Sequence, residues 1–208
     1  MSFAAAAQAL IALGQRLDGL GLAAATAGNY SVRLAPGEIA ITVSGRHKGR
    51  LTAADIMRID SRGTALDGRK PSAETALHTL IYGLYPQVNA VLHVHSIPTV
   101  ALTRHLPKAD ELVLQGYEML KAFPGITTHA TSIALPVVEN SQDMPSLAEE
   151  VRSRLAAAPA SVPAYLIRGH GAHAWGRDLE EAERVVEALE HLLNCEIEAL
   201  RLGAGGRA

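Results

Sequence analysis

Residues 88–96, V-N-A-V-L-H-V-H-S, are the stretch of this 208-residue chain that says most about its fold. Valine and other apolar residues dominate it, which predicts a buried strand. Side chains two residues apart on a strand point to the same face, with α-carbons roughly 6.6 Å apart. His93 and His95 therefore share a face, and two imidazoles at this spacing can bind one divalent cation. The stretch predicts an interior strand that carries part of a metal site.

The elements on either side of this strand mix helices with further short strands. Helices are predicted over residues 3–18, 73–84, 146–157 and 178–200, and another begins at Pro98. Strands are predicted over residues 29–34, 39–43, 133–138, 164–167 and 172–175. Because several neighbouring strands are joined by short turns, we expect an α/β fold with antiparallel strand pairs covered by helices. Residues 1–202 are predicted to form a single domain, and residues 203–208 a flexible C-terminal tail.

The composition narrows the class of protein. Hydrophobic residues make up 48% of the chain and charged residues 19%, which is ordinary for a globular domain. The net charge of −2 offers no reason to expect a nucleic-acid partner. No run approaches the roughly 20 apolar residues of a membrane span. The single cysteine, Cys195, cannot form an internal disulfide and fits a reducing compartment. We therefore expect a cytoplasmic protein without a nucleic-acid or membrane partner.

A third histidine lies between two glycines in segment 169–171, directly after a predicted strand. Glycines let the backbone approach a site closely. Three protein ligands leave coordination positions open for a substrate, which is typical of a catalytic rather than a structural metal site. His173 is the alternative third ligand, although on a strand its side chain would point away from that of His170. The predicted metal ligands are thus His93, His95 and His170.

Six motifs then follow one another along nearly the whole chain: T-A-G-N-Y-S at 26–31, V-S-G-R-H-K-G at 43–49, K-P-S-A-E-T at 70–75, H-V-H-S at 93–96, Y-E-M-L-K at 117–121 and R-G-H-G-A-H-A-W-G at 168–176. In this order they resemble the class II aldolase/adducin family, and most closely its members that dehydrate a methylthio sugar phosphate in methionine salvage. The resemblance implies a three-layer helix–sheet–helix sandwich with a largely antiparallel central sheet. It also implies a homotetramer with sites near subunit interfaces. The expected cofactor is one Zn²⁺ per subunit, although imidazole also accepts manganese, iron or cobalt.

The resemblance further implies a pocket for the phosphate of the substrate. The residues concerned lie where sugar-phosphate members of the family collect hydroxyls, amides and backbone N–H groups: Thr26, Asn29, Ser44, Gly45 and Ser72. Ser72 is expected to cap a helix, whose N-terminus carries unpaired N–H donors that suit a phosphate. Arg46 and Lys48 supply cations nearby. Ordinary turn and cap chemistry is the alternative explanation of the same residues.

Two glutamates are candidates for the acid/base chemistry that a dehydratase needs. By resemblance, Glu118 matches the acid/base of the dehydratases, and its apolar neighbours predict a partly buried carboxyl with a raised pKa. Glu74 matches the acid/base of the family's aldolases and is expected to be a second catalytic or substrate-contacting group. Ala73 stands where fuculose-phosphate aldolases tend to carry a second serine, which favours the dehydratase.

Two other functions stay open at this point. One is a class II sugar-phosphate aldolase or epimerase, in which Glu74 would be the acid/base. The other is a non-catalytic, adducin-like binding module that keeps the fold without the metal. The presence of all three histidines argues against the binding module.

Overall fold

The strands and helices that position the candidate site are taken from a computed structural model, which describes residues 1–106, 109–158 and 162–205. The strands are β1 (Asn29–Ala35), β2 (Glu38–Thr42), β3 (Ile56–Asp60), β4 (Ala90–Val94), β5 (Glu111–Gln115), β6 (Ser132–Val138), β7 (Ala164–Ile167) and β8 (Gly171–Gly176). The α-helices are α1 (Phe3–Gly19), α2 (Thr75–Leu84), α3 (Ile97–His105), α4 (Met144–Ala157) and α5 (Leu179–Gly205). Three short 3₁₀ segments span Lys48–Arg50, Ala53–Asp55 and Glu118–Ala122.

The strands form one sheet in the order β3-β2-β1-β4-β8-β7-β6-β5. Among the described strands, each neighbouring pair is antiparallel except β6 with β7. Strand β4 lies in the interior between β1 and β8, and all five of its residues are buried. The predicted interior strand and the largely antiparallel sheet are confirmed.

The two faces of the sheet are covered by different helices. Apolar side chains of α1, α3 and α5 pack on one face, and those of α2 and α4 pack on the other. Along β4, Leu92 and Val94 face the first layer, whereas Val91 faces the second. His93 therefore points toward the α2 side of the sheet, because strand side chains alternate. The three-layer sandwich implied by the resemblance is confirmed.

Two edge strands, β3 and β5, are missing from the sequence-based prediction. Both are only five residues long, and each lies at an end of the sheet with a single neighbouring strand. An edge strand can carry charged and exposed residues, as β5 does at Glu111 and Val113. Its hydrophobic pattern is therefore weaker than that of an interior strand such as β4.

Two helix ends also differ from the prediction. Helix α2 begins at Thr75, with Glu74 at its N-cap position, so the prediction that Ser72 caps it is wrong. The hydroxyl of Ser72 instead accepts a hydrogen bond from the backbone N–H of Glu74 at 3.3 Å and closes the turn before the helix. Helix α5 continues to Gly205, through the start of the predicted tail, and residues 206–208 lie outside the described range. Within the described residues, no helix combines the length and the apolar character needed to cross a bilayer.

Helix α1 contacts the segment after β2 through a glycine, which gives a test of this packing. A Cβ on Gly14 would lie 2.3 Å from the carbonyl oxygen of Lys48, whereas a Cβ on Gly19 of the same helix would meet nothing within 4 Å. Alanine favours a helix over glycine by about 1 kcal/mol. We expect Gly19→Ala to raise the free energy of unfolding slightly and Gly14→Ala to lower it by roughly 1–3 kcal/mol through overpacking. Urea unfolding of both variants measures the difference, and equal stability would contradict the close packing.

Candidate metal centre and active site

Three imidazoles converge at one end of β4. His93 is the fourth residue of β4, and His95 follows the end of the strand. His170 lies in the turn between β7 and β8. Since β8 is paired with β4, with Ala172 opposite Val94, this turn lies directly beside the end of β4.

The distances within the cluster are those of groups facing a common point. Nε2 of His95 lies 2.9 Å from Nε2 of His93 and 3.2 Å from Nε2 of His170. A carboxylate completes the set, because Oε1 of Glu74 lies 3.3 Å from Nε2 of His93 and 3.2 Å from Nε2 of His170. One ligand atom from each of the four residues lies within 4.8 Å of all the others. The structure thus brings together the three predicted histidines and Glu74.

The second nitrogen of two of these rings determines which nitrogen is free for a metal. Nδ1 of His93 lies 3.0 Å from the carbonyl oxygen of Ala172, which can only accept a hydrogen bond. Nδ1 of His93 therefore carries the proton, and Nε2 presents a lone pair to the cluster. Nδ1 of His170 lies 3.1 Å from Oδ1 of Asn140 in the same way. Imidazole ligands of metals are usually oriented by such bonds.

The electrostatics also suit a cation. Burial raises the pKa of Glu74, but the neighbouring imidazoles of His170 and His93 outweigh it and hold that pKa well below its ordinary range. Burial, followed by the neighbouring His93 and His170, lowers the pKa of His95 to about 3. Neutral imidazoles and an ionised carboxylate are the forms that bind divalent metals. These four residues could therefore hold one metal ion.

His173, the alternative third ligand, lies outside the four-residue cluster. Its ring is fully buried and stacks on that of His93, with centroids 4.1 Å apart and an angle of 14° between the planes. Within the described part of the chain, neither ring nitrogen has a hydrogen-bond partner. The ring of His173 therefore packs against that of His93 and holds it in place.

Two of the residues proposed for the phosphate, Asn29 and Ser72, contact Glu74. Nδ2 of Asn29 donates to Oε2 of Glu74 at 2.6 Å, and Ser72 is bonded to the Glu74 backbone as described above. Thr26, Ser44 and Gly45 lie on exposed loops. The structure brings these loops close to one another, because the Lys48 ammonium donates to the carbonyl oxygens of Thr26 at 2.8 Å and of Arg46 at 2.6 Å.

Two polar neighbours of the site are buried in a way that the sequence does not predict. Lys48 is fully buried, and burial lowers its pKa to about 8 although Glu74 opposes the shift. His78 is also fully buried, and it lies behind Asn29 as a hydrogen-bond partner. A lysine in a polar loop and a histidine in a helix are usually exposed or packed for structural reasons, so no local pattern indicates that these two are fully buried.

Glu118 lies away from the cluster of its own chain. It begins the 3₁₀ segment after β5, and β5 is four strands from β4 in the sheet. At a strand spacing of about 4.8 Å, that separation is roughly 19 Å. The Glu118 side chain is 69% exposed, forms an ion pair with Lys121 and lies 3.5 Å from His129.

The predicted burial and raised pKa of Glu118 are therefore wrong. Its hydrogen bond with Lys121 lowers the pKa of Glu118 and outweighs the opposing effect of burial. The physical reason is the 3₁₀ geometry, which buries Leu120 and Phe123 while the glutamate points outward.

Comparison with known proteins gives the site a context. The profile of the family "Class II Aldolase and Adducin N-terminal domain" matches residues 8–197. The chain is 48% identical over 201 residues to methylthioribulose-1-phosphate dehydratase of Marinobacter nauticus, covering 96% of each protein. It is 52% identical over 194 residues to the protein of the same name from Methylococcus capsulatus, covering 93% of this chain and 94% of the relative.

Solved structures with the same fold include aldolases. The structure is similar to that of L-fuculose-1-phosphate aldolase from Thermus thermophilus, with a TM-score of 0.78 and 28% identity. This match covers 99% of this chain and 100% of the aldolase. Another L-fuculose 1-phosphate aldolase matches with a TM-score of 0.80 at 24% identity, covering 98% of this chain and 90% of that one.

The four-residue cluster predicts about one divalent cation per chain, because the described residues form one such group. His170→Ala removes one nitrogen ligand and should lose most of the bound metal during dialysis. His173→Phe is the matched control, since it keeps a stacked ring of similar size at the same depth and should retain the metal. Elemental analysis of the three purified proteins measures the metal content. Full retention in His170→Ala, or loss in His173→Phe, would assign the ligands differently.

Proposed function

The chain belongs to the class II aldolase and adducin family, and on that basis we propose that it is a hydro-lyase of methionine salvage. It converts 5-methylthioribulose 1-phosphate into 2,3-diketo-5-methylthiopentyl 1-phosphate and water. The observation that carries this proposal is a cluster of three imidazoles and a carboxylate in a chain 48% and 52% identical to two proteins named as this dehydratase. We propose that the enzyme works in the cytoplasm, where its single cysteine stays reduced.

We propose zinc as the resident cation, held by His93, His95 and His170 with Glu74 beside them. Three nitrogens and one oxygen are donors that zinc accepts. When bound, the cation is a Lewis acid that polarises the ketone and neighbouring hydroxyl oxygen of the substrate. The protein contributes rings whose tautomers are already set by Ala172 and Asn140. Because these rings need not reorganise when the substrate arrives, the site is preorganised for that charge.

We propose that the phosphate binds between two parts of the chain. One is the pair of loops joined by Lys48, and the other is the turn before α2. Hydroxyls of Thr26, Ser44 and Ser72, the amide of Asn29 and the backbone N–H of Gly45 are the groups assigned to it. Gly45 has a positive φ of 71°, which a glycine adopts without strain. The two bonds of the Lys48 ammonium keep the loops at a fixed separation. A phosphate held there would orient the reacting carbons of the substrate toward the four-residue cluster.

The assignment of the acid/base residue depends on how the subunits assemble. Dehydration removes a proton from the carbon beside the ketone and then protonates the departing hydroxyl, and one carboxyl group can serve both steps. Glu118 is remote from the cluster of its own chain, so we propose that it acts at the site of an adjacent subunit in a homotetramer.

A sugar-phosphate aldolase or epimerase is the second candidate function. One observation favours it: Glu74, the residue that matches the aldolase acid/base, lies in the metal cluster, whereas Glu118 does not. The two functions give different products from their substrates. The dehydratase yields one diketone that keeps all the carbon atoms, whereas aldol cleavage yields two smaller carbonyl compounds.

Turnover of the two glutamate variants separates the candidates. Glu118→Gln keeps the shape of the side chain but cannot accept a proton, so we expect normal metal content and a loss of turnover of roughly 10²- to 10⁴-fold. Glu74→Gln should lower turnover together with metal affinity. The measurement is steady-state formation of the diketone from 5-methylthioribulose 1-phosphate, alongside elemental analysis. Aldol products, with a nearly normal Glu118→Gln enzyme and a dead Glu74→Gln enzyme, would establish the aldolase.

Mixed assemblies test the adjacent-subunit role of Glu118. When His170→Ala and Glu118→Gln chains are co-expressed in equal amounts, about a quarter of the sites combine an intact cluster with an intact Glu118 from a neighbour. Activity should then rise well above that of either variant alone. Homogeneous assemblies of each variant are the controls. If the mixture is as inactive as they are, Glu118 does not act across subunits.

The phosphate assignment predicts a specific interaction between Ser72 and the substrate phosphate. The unphosphorylated sugar should have a much lower kcat/KM, because the phosphate supplies binding energy that orients the reacting carbons. Ser72→Ala should lower kcat/KM for the phosphorylated sugar and leave the already low value for the free sugar unchanged. Steady-state kinetics with both sugars measure all four values. An equal loss with both sugars would mean that Ser72 supports the turn rather than the phosphate.

A further inference from the structure

A row of buried polar side chains leads from Glu74 away from the three histidines of the cluster, between the sheet and α2. Nδ2 of Asn29 donates to Glu74, and Oδ1 of Asn29 faces Nε2 of His78. Nδ1 of His78 lies 2.7 Å from the hydroxyl of Ser31, which lies 2.9 Å from the hydroxyl of Tyr82. The four residues behind Glu74 are all at most 5% exposed. Water therefore has little access to this row.

The direction of each hydrogen bond follows from the carboxylate at the end. An ionised carboxylate only accepts, so Asn29 must turn its NH₂ group toward Glu74 and its carbonyl oxygen toward His78. A carbonyl oxygen also only accepts, so His78 must carry its proton on Nε2. Nδ1 of the neutral ring is then an acceptor for the hydroxyl of Ser31. The hydroxyl of Tyr82 donates in turn to Ser31.

The surroundings of His78 keep its ring neutral and in place. Burial, followed by the nearby His93, lowers the pKa of His78 to about 3, and Glu74 opposes this only in part. The ring also packs edge-on against that of His173, with centroids 5.6 Å apart. Both ring nitrogens face polar partners, so the ring is fixed by two hydrogen bonds as well as by packing.

We propose that His78 is a positioning residue for the active site. Its Nε2–H holds the Asn29 amide in the one orientation that presents an N–H to Glu74, and this keeps the Glu74 carboxylate aimed at the three histidines. Without that donor, the amide is free to turn over and would place its carbonyl oxygen against the carboxylate. The inference rests on the proposed role of Glu74 at the metal site.

Two substitutions of similar polarity separate this role from a merely structural one. The side-chain NH₂ of glutamine can reach the position of Nε2, whereas that of asparagine reaches only the position of Nδ1. We expect His78→Asn to weaken metal affinity by about 10- to 100-fold, the usual effect of losing a partner behind a metal ligand. His78→Gln should stay near the wild-type affinity. Competition with a chelator of known affinity measures both with zinc alone, so substrate turnover is not needed.

Tyr82→Phe is the matched control, because it removes one buried hydroxyl from the far end of the row and leaves Nε2–H in place. Its metal affinity should be close to that of the wild type. A loss as large as that of His78→Asn would mean that any disturbance of the row weakens the site. Equal losses in His78→Gln and His78→Asn would also overturn the proposal.

A spectroscopic test does not depend on any variant being active. Solid-state ¹⁵N spectra of the wild-type protein labelled at histidine distinguish the two neutral tautomers, and His78→Gln identifies the His78 signal by its absence. We expect the Nε2–H tautomer, and an Nδ1–H signal would refute the proposal. If His78→Asn does not fold, this spectrum and the affinities of His78→Gln and Tyr82→Phe still decide. If the wild type failed to dehydrate the methylthio sugar phosphate, the proposed reaction would be wrong while these readouts kept their meaning.

Discussion

The antiparallel pairing of β4 with β8 places the turn that carries His170 beside the strand end that carries His93 and His95. Gly171 makes this approach possible, because a Cβ at that position would lie 2.2 Å from the carbonyl oxygen of Val94. A larger residue would push the turn away from β4 and withdraw the imidazole of His170 from the other two. The geometry of the four-residue cluster is thus set by backbone packing, whether or not a metal is bound.

The aromatic rings packed against the cluster fix its geometry at a cost to the stability of the fold. The ring of His173 lies between those of His93 and Tyr165, and its centroid is 4.9 Å from that of Tyr165 in a nearly parallel stack. This stack fixes the plane of the His93 ring, while the carbonyl oxygen of Ala172 fixes its tautomer. Within the described residues, both nitrogens of His173 lack partners, and each such buried group costs about 1–3 kcal/mol. Such local costs are expected where a site requires a particular arrangement.

The parts of the site that could be predicted from the sequence are those encoded by local spacing. The shared face of His93 and His95 follows from the period of a strand, and the glycines around His170 indicate a close backbone approach. The resemblance indicates Glu74, whereas local sequence does not, because a glutamate near a helix start is usually a solvated charge. Its place in the cluster depends on how α2 docks on the sheet, which no local pattern records.

The wrong prediction for Glu118 and the features that the sequence does not predict also depend on tertiary structure. The apolar neighbours of Glu118 indicate a buried segment, and Leu120 and Phe123 are indeed buried, but the direction of the glutamate depends on the 3₁₀ geometry. The burial of Lys48 and His78 depends on loops and helices that meet only in the folded chain. The edge strands β3 and β5 lack the continuous apolar run of β4, because each carries exposed residues among its buried ones.

If Glu118 is the acid/base of the proposed reaction, binding and proton transfer are carried out by different subunits. The four-residue cluster and the loops joined by Lys48 are both formed within one chain, whereas the Glu118 carboxylate lies on the outer surface beside Lys121 and His129. A folded single subunit would then bind the cation and the phosphate without catalysing dehydration. Proton transfer would begin only when a neighbouring subunit brings its glutamate to the site. Assembly would couple catalysis to the quaternary structure, because the preorganised half of the site and the proton-transferring half belong to different chains.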